Sequence, residues 1–222
     1  MVSRLRALWR LFVYLGVMTP LCMVFQGTAL RLNLPVSRTF PLWFHRQVCR
    51  VVGVQIERRG RQSRVHPTLY VANHVSYLDI EVMGALIKGS FVAKAEIAKW
   101  PIFGTMARLQ RSIFVERKPH RTGAARDEML KRLEAGENLM LFAEGTSGDG
   151  THVLPFKSAL FAAAEVRPQG KPLTVQAVSI TYARLDGLPM GRYLRPYFAW
   201  YGDMDMASHG WNICCLGKIG VI

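Results

Sequence analysis

His74 and Asp79 pair an imidazole with a carboxylate, with four residues between them. A carboxylate bonded to one nitrogen of an imidazole fixes the tautomer and leaves the other nitrogen free to take a proton. Such a pair can serve as a general base for a hydroxyl that the substrate supplies. The spacing alone is weakly specific, since a histidine at the end of a strand is often only structural.

The elements around this pair are those that would position it. The run Leu69–Ala72 is apolar and is typical of a buried strand. His74 then falls at the carboxyl end of that strand, where open α/β sheets bind their ligands. A helix is predicted from about Ser76, a plausible N-cap, which puts Asp79 in the first helical turn.

Strand and helix patterns alternate after Gly53. Strands are predicted at Val54–Glu57, Thr68–Ala72, Phe91–Ala93, Ser112–Glu116, Asn138–Ala143 and Thr174–Tyr182. Helices are predicted at Ser76–Ile87, Glu96–Arg108, Thr122–Ala135 and Lys157–Val166. This alternation predicts an α/β fold, a mostly parallel central sheet flanked by helices, over residues 53–222.

The N-terminal segment is apolar between Leu11 and Leu30, with arginines on both sides. As a helix it would be about 30 Å long, enough to cross a hydrocarbon core. A spanning or half-inserted anchor is favoured over a cleaved signal peptide ending near Ala29 and over a buried hairpin. The mixed aromatic and basic run Phe40–Val52 suits an interfacial helix. Residues 1–52 are therefore predicted to form membrane-anchoring and interfacial helices.

The composition restricts the partners. The formal net charge is +14 and the pI about 10.2, which favours lipid headgroups, nucleic acid or acidic carriers. There is no nucleic-acid-binding motif, so nucleic acid is not expected as a partner. The four cysteines show no paired spacing, which indicates neither a zinc site nor a disulfide framework and favours a reducing compartment.

Two further segments concentrate polar residues at predicted strand ends. One strand leads to Arg117, which could clamp an anionic headgroup. Another delivers Glu144 and Thr146 into a loop that contains Gly145, Gly148 and Gly150. The loop lacks the Lys-Ser/Thr pair of a P-loop, and Ser147 lacks the glycine two residues later that a nucleophile elbow requires.

Taken together and in order, these segments resemble the lysophospholipid and glycerophosphate acyltransferase superfamily. The matching blocks are Asn73-His74-Val-Ser-Tyr-Leu-Asp79, Ile113-Phe-Val-Glu-Arg117, Phe142-Ala-Glu-Gly-Thr146 and, more loosely, Leu173–Ser179. The resemblance covers roughly residues 51–201. Four blocks in the right order are strongly specific, although each alone is not.

The resemblance implies direct transfer of an acyl group from an acyl carrier protein or coenzyme A thioester to a lysolipid hydroxyl. His74 would deprotonate the hydroxyl and Asp79 would orient the imidazole, with no acyl-enzyme, bound cofactor or metal. Arg117, Glu144, Gly145 and Thr146 would bind the acceptor. The implied location is the cytoplasmic face of a bacterial inner membrane.

One departure from the family pattern bears on the acceptor. Ser147 stands where the family commonly has an arginine for the acceptor phosphate, and Asp149 follows. A carboxylate in place of a guanidinium suits a cationic or zwitterionic headgroup better than a phosphate. Ser147 and Asp149 are therefore added to the acceptor-binding residues. The chain looks similar to bacterial lyso-ornithine-lipid acyltransferases, with lysophosphatidic acid as the alternative acceptor.

Other classes of function stay open at this point. A lipid hydrolase would use the same base on water, and a non-catalytic membrane-binding protein would use the pair only structurally. A metal enzyme with His74, Asp79 and Glu144 as ligands lacks a recognised ligand spacing. The C-terminal run Gly217–Ile222 is expected to begin a final strand, which is either cut short or minimal.

Overall fold

The computed structural model describes residues 2–115, 122–157, 164 and 167–222. Within them the chain forms two sheets, one of five strands and one of four. The strands are β1 Val54–Ile56, β2 Thr68–Ala72, β3 Ser90–Lys94, β4 Ile113–Val115, β5 Leu139–Phe142, β6 Thr174–Val178, β7 Tyr182–Leu185, β8 Leu188–Pro189 and β9 Ile219–Val221.

The larger sheet is entirely parallel and has the strand order β4-β3-β5-β2-β6. Its central strand pair, β2 and β5, runs in register from Leu69 opposite Leu139 to Ala72 opposite Phe142. Every residue of β2 is buried, as a strand covered on both faces requires. Because parallel strands end at one edge, the segments after β2 and β5 meet there.

Helices cover both faces of this sheet, which confirms the predicted α/β class. One core contains side chains of α3, α4 and the second sheet, and the other packs α6 against the opposite face. The helices are α1 Arg4–Leu11, α2 Thr19–Arg31, α3 Phe40–Val52, α4 Leu78–Leu86, α5 Phe103–Leu109, α6 Thr122–Glu134 and α7 Met206–Cys215.

Two predicted elements were wrong in their extent. The predicted helix Glu96–Arg108 is a 3₁₀ segment, Ala95–Lys99, followed by α5. Pro101 separates them, because a proline lacks the N–H of a continuing helix and holds the preceding residue in an extended conformation. The predicted strand Thr174–Tyr182 divides into β6 and the start of β7, which belong to different sheets. Most of the predicted helix Lys157–Val166 lies outside the described residues.

The second sheet has the order β1-β9-β7-β8. The C-terminal strand β9 lies between β1, with which it is parallel, and β7, with which it is antiparallel. Residues near the C-terminus thus complete this sheet and hold the first residues of β7 in place. Thr181 and Ile222 exchange backbone hydrogen bonds of 2.9 Å in each direction.

The N-terminal helical run, Arg4–Arg31, is 28 residues long and has a mean hydropathy of 1.7 in its most apolar window. By length and composition it could cross a membrane, and 17% of that window is buried. It consists of α1, a π-helical stretch at Phe12–Met18, and α2. It packs along the α/β domain, since α1 contacts α7 and α2 contacts α5.

Arg10 joins this N-terminal run to the domain. Its guanidinium donates hydrogen bonds to the carbonyls of Cys214, Leu216 and Gly217, at 3.2, 2.8 and 3.1 Å. These carbonyls lie at and just beyond the C-terminus of α7, where a helix leaves acceptors without internal partners. The first helix is thus built into the fold at this contact.

Candidate active site

The structure places the imidazole of His74 against the carboxylate of Asp79. His74 follows β2, Asp79 is the second residue of α4, and His74 Nδ1 lies 2.9 Å from Asp79 Oδ2. The same oxygen accepts the backbone N–H groups of Val75, at 2.6 Å, and Ser76, at 2.9 Å. Asp79 thus fixes both the ring and the loop that carries it. The helix begins at Leu78, two residues later than predicted, and Tyr77 takes the N-cap position expected for Ser76.

The other ring nitrogen of His74 is free to act as a base. Because the carboxylate only accepts, Nδ1 carries the proton and Nε2 has the available lone pair. Within the part of the chain that the structure describes, no side chain is hydrogen-bonded to Nε2, and the imidazole is 19% exposed. Its face stacks on Phe142, with ring centroids 4.0 Å apart. The ring is therefore held on one face by Phe142 and at Nδ1 by Asp79, while Nε2 has no side-chain partner among the described residues.

Glu144 lies at the centre of the second loop and is 1% exposed. Its carboxylate accepts the backbone N–H of His74 at 2.7 Å and that of Leu154 at 2.8 Å. Gly148 N–H in turn donates to the carbonyl of His74 at 2.9 Å. The loop after β5 thereby clamps the backbone of His74 from two sides. We infer a positioning contribution of Glu144 from these contacts, and acceptor binding by it stays a prediction.

The glycines of this loop have backbone conformations that side chains rarely adopt. Gly145 has φ of 65° and Gly150 has φ of 75°. At Gly150 a Cβ would also lie 3.0 Å from Cγ1 of Val75. A side chain there would press on the residue that follows His74, so the loop's close approach to the segment that carries His74 depends on this glycine.

The remaining predicted acceptor residues lie near the same sheet edge in different environments. Thr146 is exposed, and Ser147 donates its hydroxyl proton to the carbonyl of Trp200. Asp149, 37% exposed, accepts the backbone N–H of Thr151 at 2.8 Å and its hydroxyl at 2.7 Å. These bonds from Thr151 hold the pKa of Asp149 below its usual range, so its carboxylate is ionised at neutral pH. Arg117 lies outside the described residues.

Two long-range contacts at or beside the site had no signal in the sequence. The Tyr182 hydroxyl lies 2.6 Å from Oδ1 of Asp79. The Asn73 side chain exchanges two hydrogen bonds with the backbone of Ile180, at 3.0 and 2.7 Å. Asn73 stands in the first motif, yet its partner is 107 residues away, and no spacing rule predicts such a contact. Among the described residues, no group of three or more possible metal ligands occurs.

Residues 40–181 match the family model named Acyltransferase, a range that contains the His74–Asp79 pair and the Glu144 loop. The chain belongs to the Acyltransferase family. It is therefore an acyl-transferring enzyme, as the sequence motifs predicted.

Curated relatives and a solved structure agree with this membership. The lyso-ornithine lipid O-acyltransferase of Brucella abortus is 42% identical over 219 residues, covering 96% of this chain and 82% of that protein. The enzyme of that name from Rhizobium meliloti is 43% identical, covering 83% of this chain and 64% of its own length. A 1-acyl-sn-glycerol-3-phosphate acyltransferase of Neisseria gonorrhoeae is 33% identical, with coverage of 77% and 63%.

The crystal structure of the 1-acyl-sn-glycerophosphate acyltransferase PlsC from Thermotoga maritima superposes with a TM-score of 0.55 at 20% identity. The alignment covers 79% of this chain and 81% of that one. This likeness shows that the two proteins share the acyltransferase fold.

Proposed function

We propose that this acyltransferase transfers a fatty acyl group from an acyl thioester to the hydroxyl of a lyso-ornithine lipid. The observation that carries the reaction type is the open Nε2 of His74 beside a buried carboxylate. No serine or cysteine side chain is hydrogen-bonded to His74 in the described ranges, so the pair serves an external hydroxyl. This arrangement supports direct transfer without an acyl-enzyme.

The proton and the acyl group move in a balanced exchange. His74 Nε2 takes the proton of the acceptor hydroxyl as its oxygen bonds to the thioester carbonyl carbon. The carbon–sulfur bond then breaks, and the imidazolium returns the proton to the leaving thiolate. Asp79 stabilises the imidazolium between these steps, since a buried carboxylate at 2.9 Å favours the charged ring. The products are an ester and a free thiol.

Three observations favour an ornithine headgroup as the acceptor. The relatives from Brucella and Rhizobium, both more than 40% identical, are named for lyso-ornithine lipid. The side-chain amine of ornithine is a cation, and the ionised, partly exposed Asp149 offers it a counter-charge. Ser147 uses its hydroxyl on Trp200 and supplies no positive charge for a phosphate. Lysophosphatidic acid is the second candidate, because the Neisseria relative is named for it.

The proposed acceptor predicts that the enzyme prefers lyso-ornithine lipid to lysophosphatidic acid and that removing the charge of Asp149 weakens this preference. The purified enzyme should show a kcat/KM for lyso-ornithine lipid at least tenfold above that for lysophosphatidic acid. Asp149→Asn keeps an oxygen for Thr151 but removes the charge. We expect it to lower kcat/KM for lyso-ornithine lipid by about fivefold, the scale of one exposed ion pair, and to leave lysophosphatidic acid nearly unchanged.

Asp203→Asn is the matched control for this comparison, because Asp203 is an exposed aspartate that the site does not use. It should leave both rates as they are. A clear preference of the wild-type enzyme for lysophosphatidic acid would overturn the ornithine assignment while leaving the acyltransferase reaction intact.

The acyl donor is proposed to be an acyl carrier protein or a coenzyme A thioester. Both are anionic, and the chain has a formal net charge of +14. Both also occur in the cytoplasm, which supports a location at the cytoplasmic face of a bacterial inner membrane. Nucleic acid has no part in the proposed reaction.

Residues 1–52 are proposed to anchor the protein to that membrane. The N-terminal helical run within them is proposed to lie in one leaflet. Along one stripe it packs on the domain, through residues that include Ala7, Arg10, Cys22, Gln26 and Ala29, all buried. Its other face exposes large apolar side chains, among them Trp9, Phe12, Leu21 and Val24. A helix that lies along its own domain with an apolar outer face fits insertion parallel to the membrane surface.

Labelling of the two helix ends tests this orientation. Val2 and Arg31 are both exposed, so Val2→Cys and Arg31→Cys should each react with a membrane-impermeant maleimide from the cytoplasmic side. The wild-type chain is the control, because its four cysteines are buried. Labelling of the two positions from opposite sides would instead demonstrate a membrane-spanning helix.

A further inference from the structure

Asp79 makes more hydrogen bonds than orientation of a histidine requires. The residue is completely buried, and its Oδ2 accepts the Nδ1–H of His74 and two backbone N–H groups. Its other oxygen, Oδ1, accepts the hydroxyl of Tyr182 at 2.6 Å. A buried carboxylate is costly unless its lone pairs are used. Tyr182 thus supplies the side-chain donor on the oxygen that faces away from His74.

The hydroxyl of Tyr182 is fixed in place by its surroundings. The side chain is 2% exposed, and its ring stacks on Phe198, with centroids 5.5 Å apart and planes 15° apart. Tyr182 is the first residue of β7 and pairs with Val221 of β9. Two residues earlier, Ile180 is tied to the side chain of Asn73. The second sheet therefore presents a rigid donor to the catalytic pair.

We propose that Tyr182 is a positioning residue for the acyl transfer, whose hydroxyl holds Oδ1 of Asp79 and moderates the charge that Oδ2 presents to His74. The inference rests on the proposed reaction at His74. Rotation of the carboxylate about its Cβ–Cγ bond would carry Oδ2 away from Nδ1, and the bond to Tyr182 opposes that rotation. The donor also disperses the negative charge of Asp79.

The tyrosine retains its proton throughout. Burial, and then the Asp79 carboxylate, raise the pKa of Tyr182 well above its usual value. The other titratable groups near its hydroxyl are Cys49 of α3 and Tyr77 before α4, and both act in the same direction. Tyr182 is therefore a hydrogen-bond donor over the working pH range and exchanges no proton with the substrate.

Tyr182→Phe removes one oxygen atom and tests this role. We expect kcat to fall by about 10-fold to 100-fold, the scale of one hydrogen bond to a charged group, with KM within about twofold. The acid limb, the low-pH side of the profile of kcat/KM against pH, should move to higher pH. Without the Tyr182 hydroxyl the negative charge of Asp79 is less dispersed, so the His74 imidazole keeps its proton up to a higher pH. Tyr70→Phe is the control, since Tyr70 is a buried tyrosine of the same core whose hydroxyl lies 3.5 Å from Gln62 and from Ser63.

The outcomes separate this role from a packing role. Wild-type kcat and an unmoved acid limb in Tyr182→Phe would overturn the proposal. Absence of acyl transfer in the wild-type enzyme would instead contradict the proposed function. If Tyr182→Phe does not fold, 3-fluorotyrosine at position 182 keeps the packing and strengthens the donor. The acid limb should then move to lower pH, and an unchanged limb would also overturn the proposal.

Discussion

Replacement of His74 by alanine is expected to lower kcat for acyl transfer by about 10³-fold or more. A positioned general base contributes about 10²-fold to 10⁴-fold, and alanine removes the imidazole that Asp79 orients. The fold should persist, because the side chain is partly exposed and the backbone contacts of His74 to Glu144 and Gly148 do not involve the imidazole. The measurement is steady-state transfer to lysolipid, with the melting temperature recorded for each variant.

His66→Ala is the matched control for this variant. His66 is exposed and precedes β2 at the end opposite His74, where its Nδ1 lies 3.0 Å from the side-chain oxygen of Asn138. Its loss should leave kcat within about twofold of the wild type, as expected for an exposed side chain away from the site. Equal activity of His74→Ala and His66→Ala would favour the non-catalytic reading of the motif.

The second large effect is expected for Asp79→Asn, with a loss of about 10²-fold in kcat. Three donors converge on Oδ2, so the amide should place its oxygen there and turn its NH₂ toward the oxygen of Tyr182. The histidine then keeps its tautomer, and the loss arises mainly because the imidazolium has no counter-charge. Steady-state kinetics of this variant at several pH values measure the effect.

Asp79→Ala provides the comparison. Alanine leaves two buried backbone N–H groups and Tyr182 without their acceptor, so this variant should be clearly less stable than Asp79→Asn. If Asp79→Asn were as active as the wild-type enzyme, the negative charge would have no part in the reaction. Similar melting temperatures for Asp79→Asn and Asp79→Ala would contradict the inferred placement of the amide.

Much of the fold could be predicted because its signals are local. The apolar run of β2 and the polar residues after it predict a buried strand that ends at a site, and His74 and Asp79 lie only five positions apart. The order of the strands in the sheet and the contact of the two motif loops follow from parallel pairing. From the sequence, only a shared sheet edge could be anticipated for the two motif loops, and no distance between their residues.

The contacts that hold the site together could not be predicted, since they join residues distant in sequence. Tyr182 is 103 positions from Asp79, and Glu144 is 70 positions from His74. Both depend on where β5 and β7 lie in the folded chain. The division of Thr174–Tyr182 between two sheets was missed for a similar reason, because a continuous β pattern does not show where the chain changes sheets.

Direct, base-promoted transfer is tested most simply by following both products of one reaction. The purified enzyme in lipid vesicles receives lyso-ornithine lipid and a labelled acyl thioester, and released thiol and labelled lipid are measured together. Equal amounts of thiol and acylated lipid, with neither formed by His74→Ala, are the expected result. Thiol release accompanied by free fatty acid and no acylated lipid would show hydrolysis, and equal product from His74→Ala would show that this histidine is not the base.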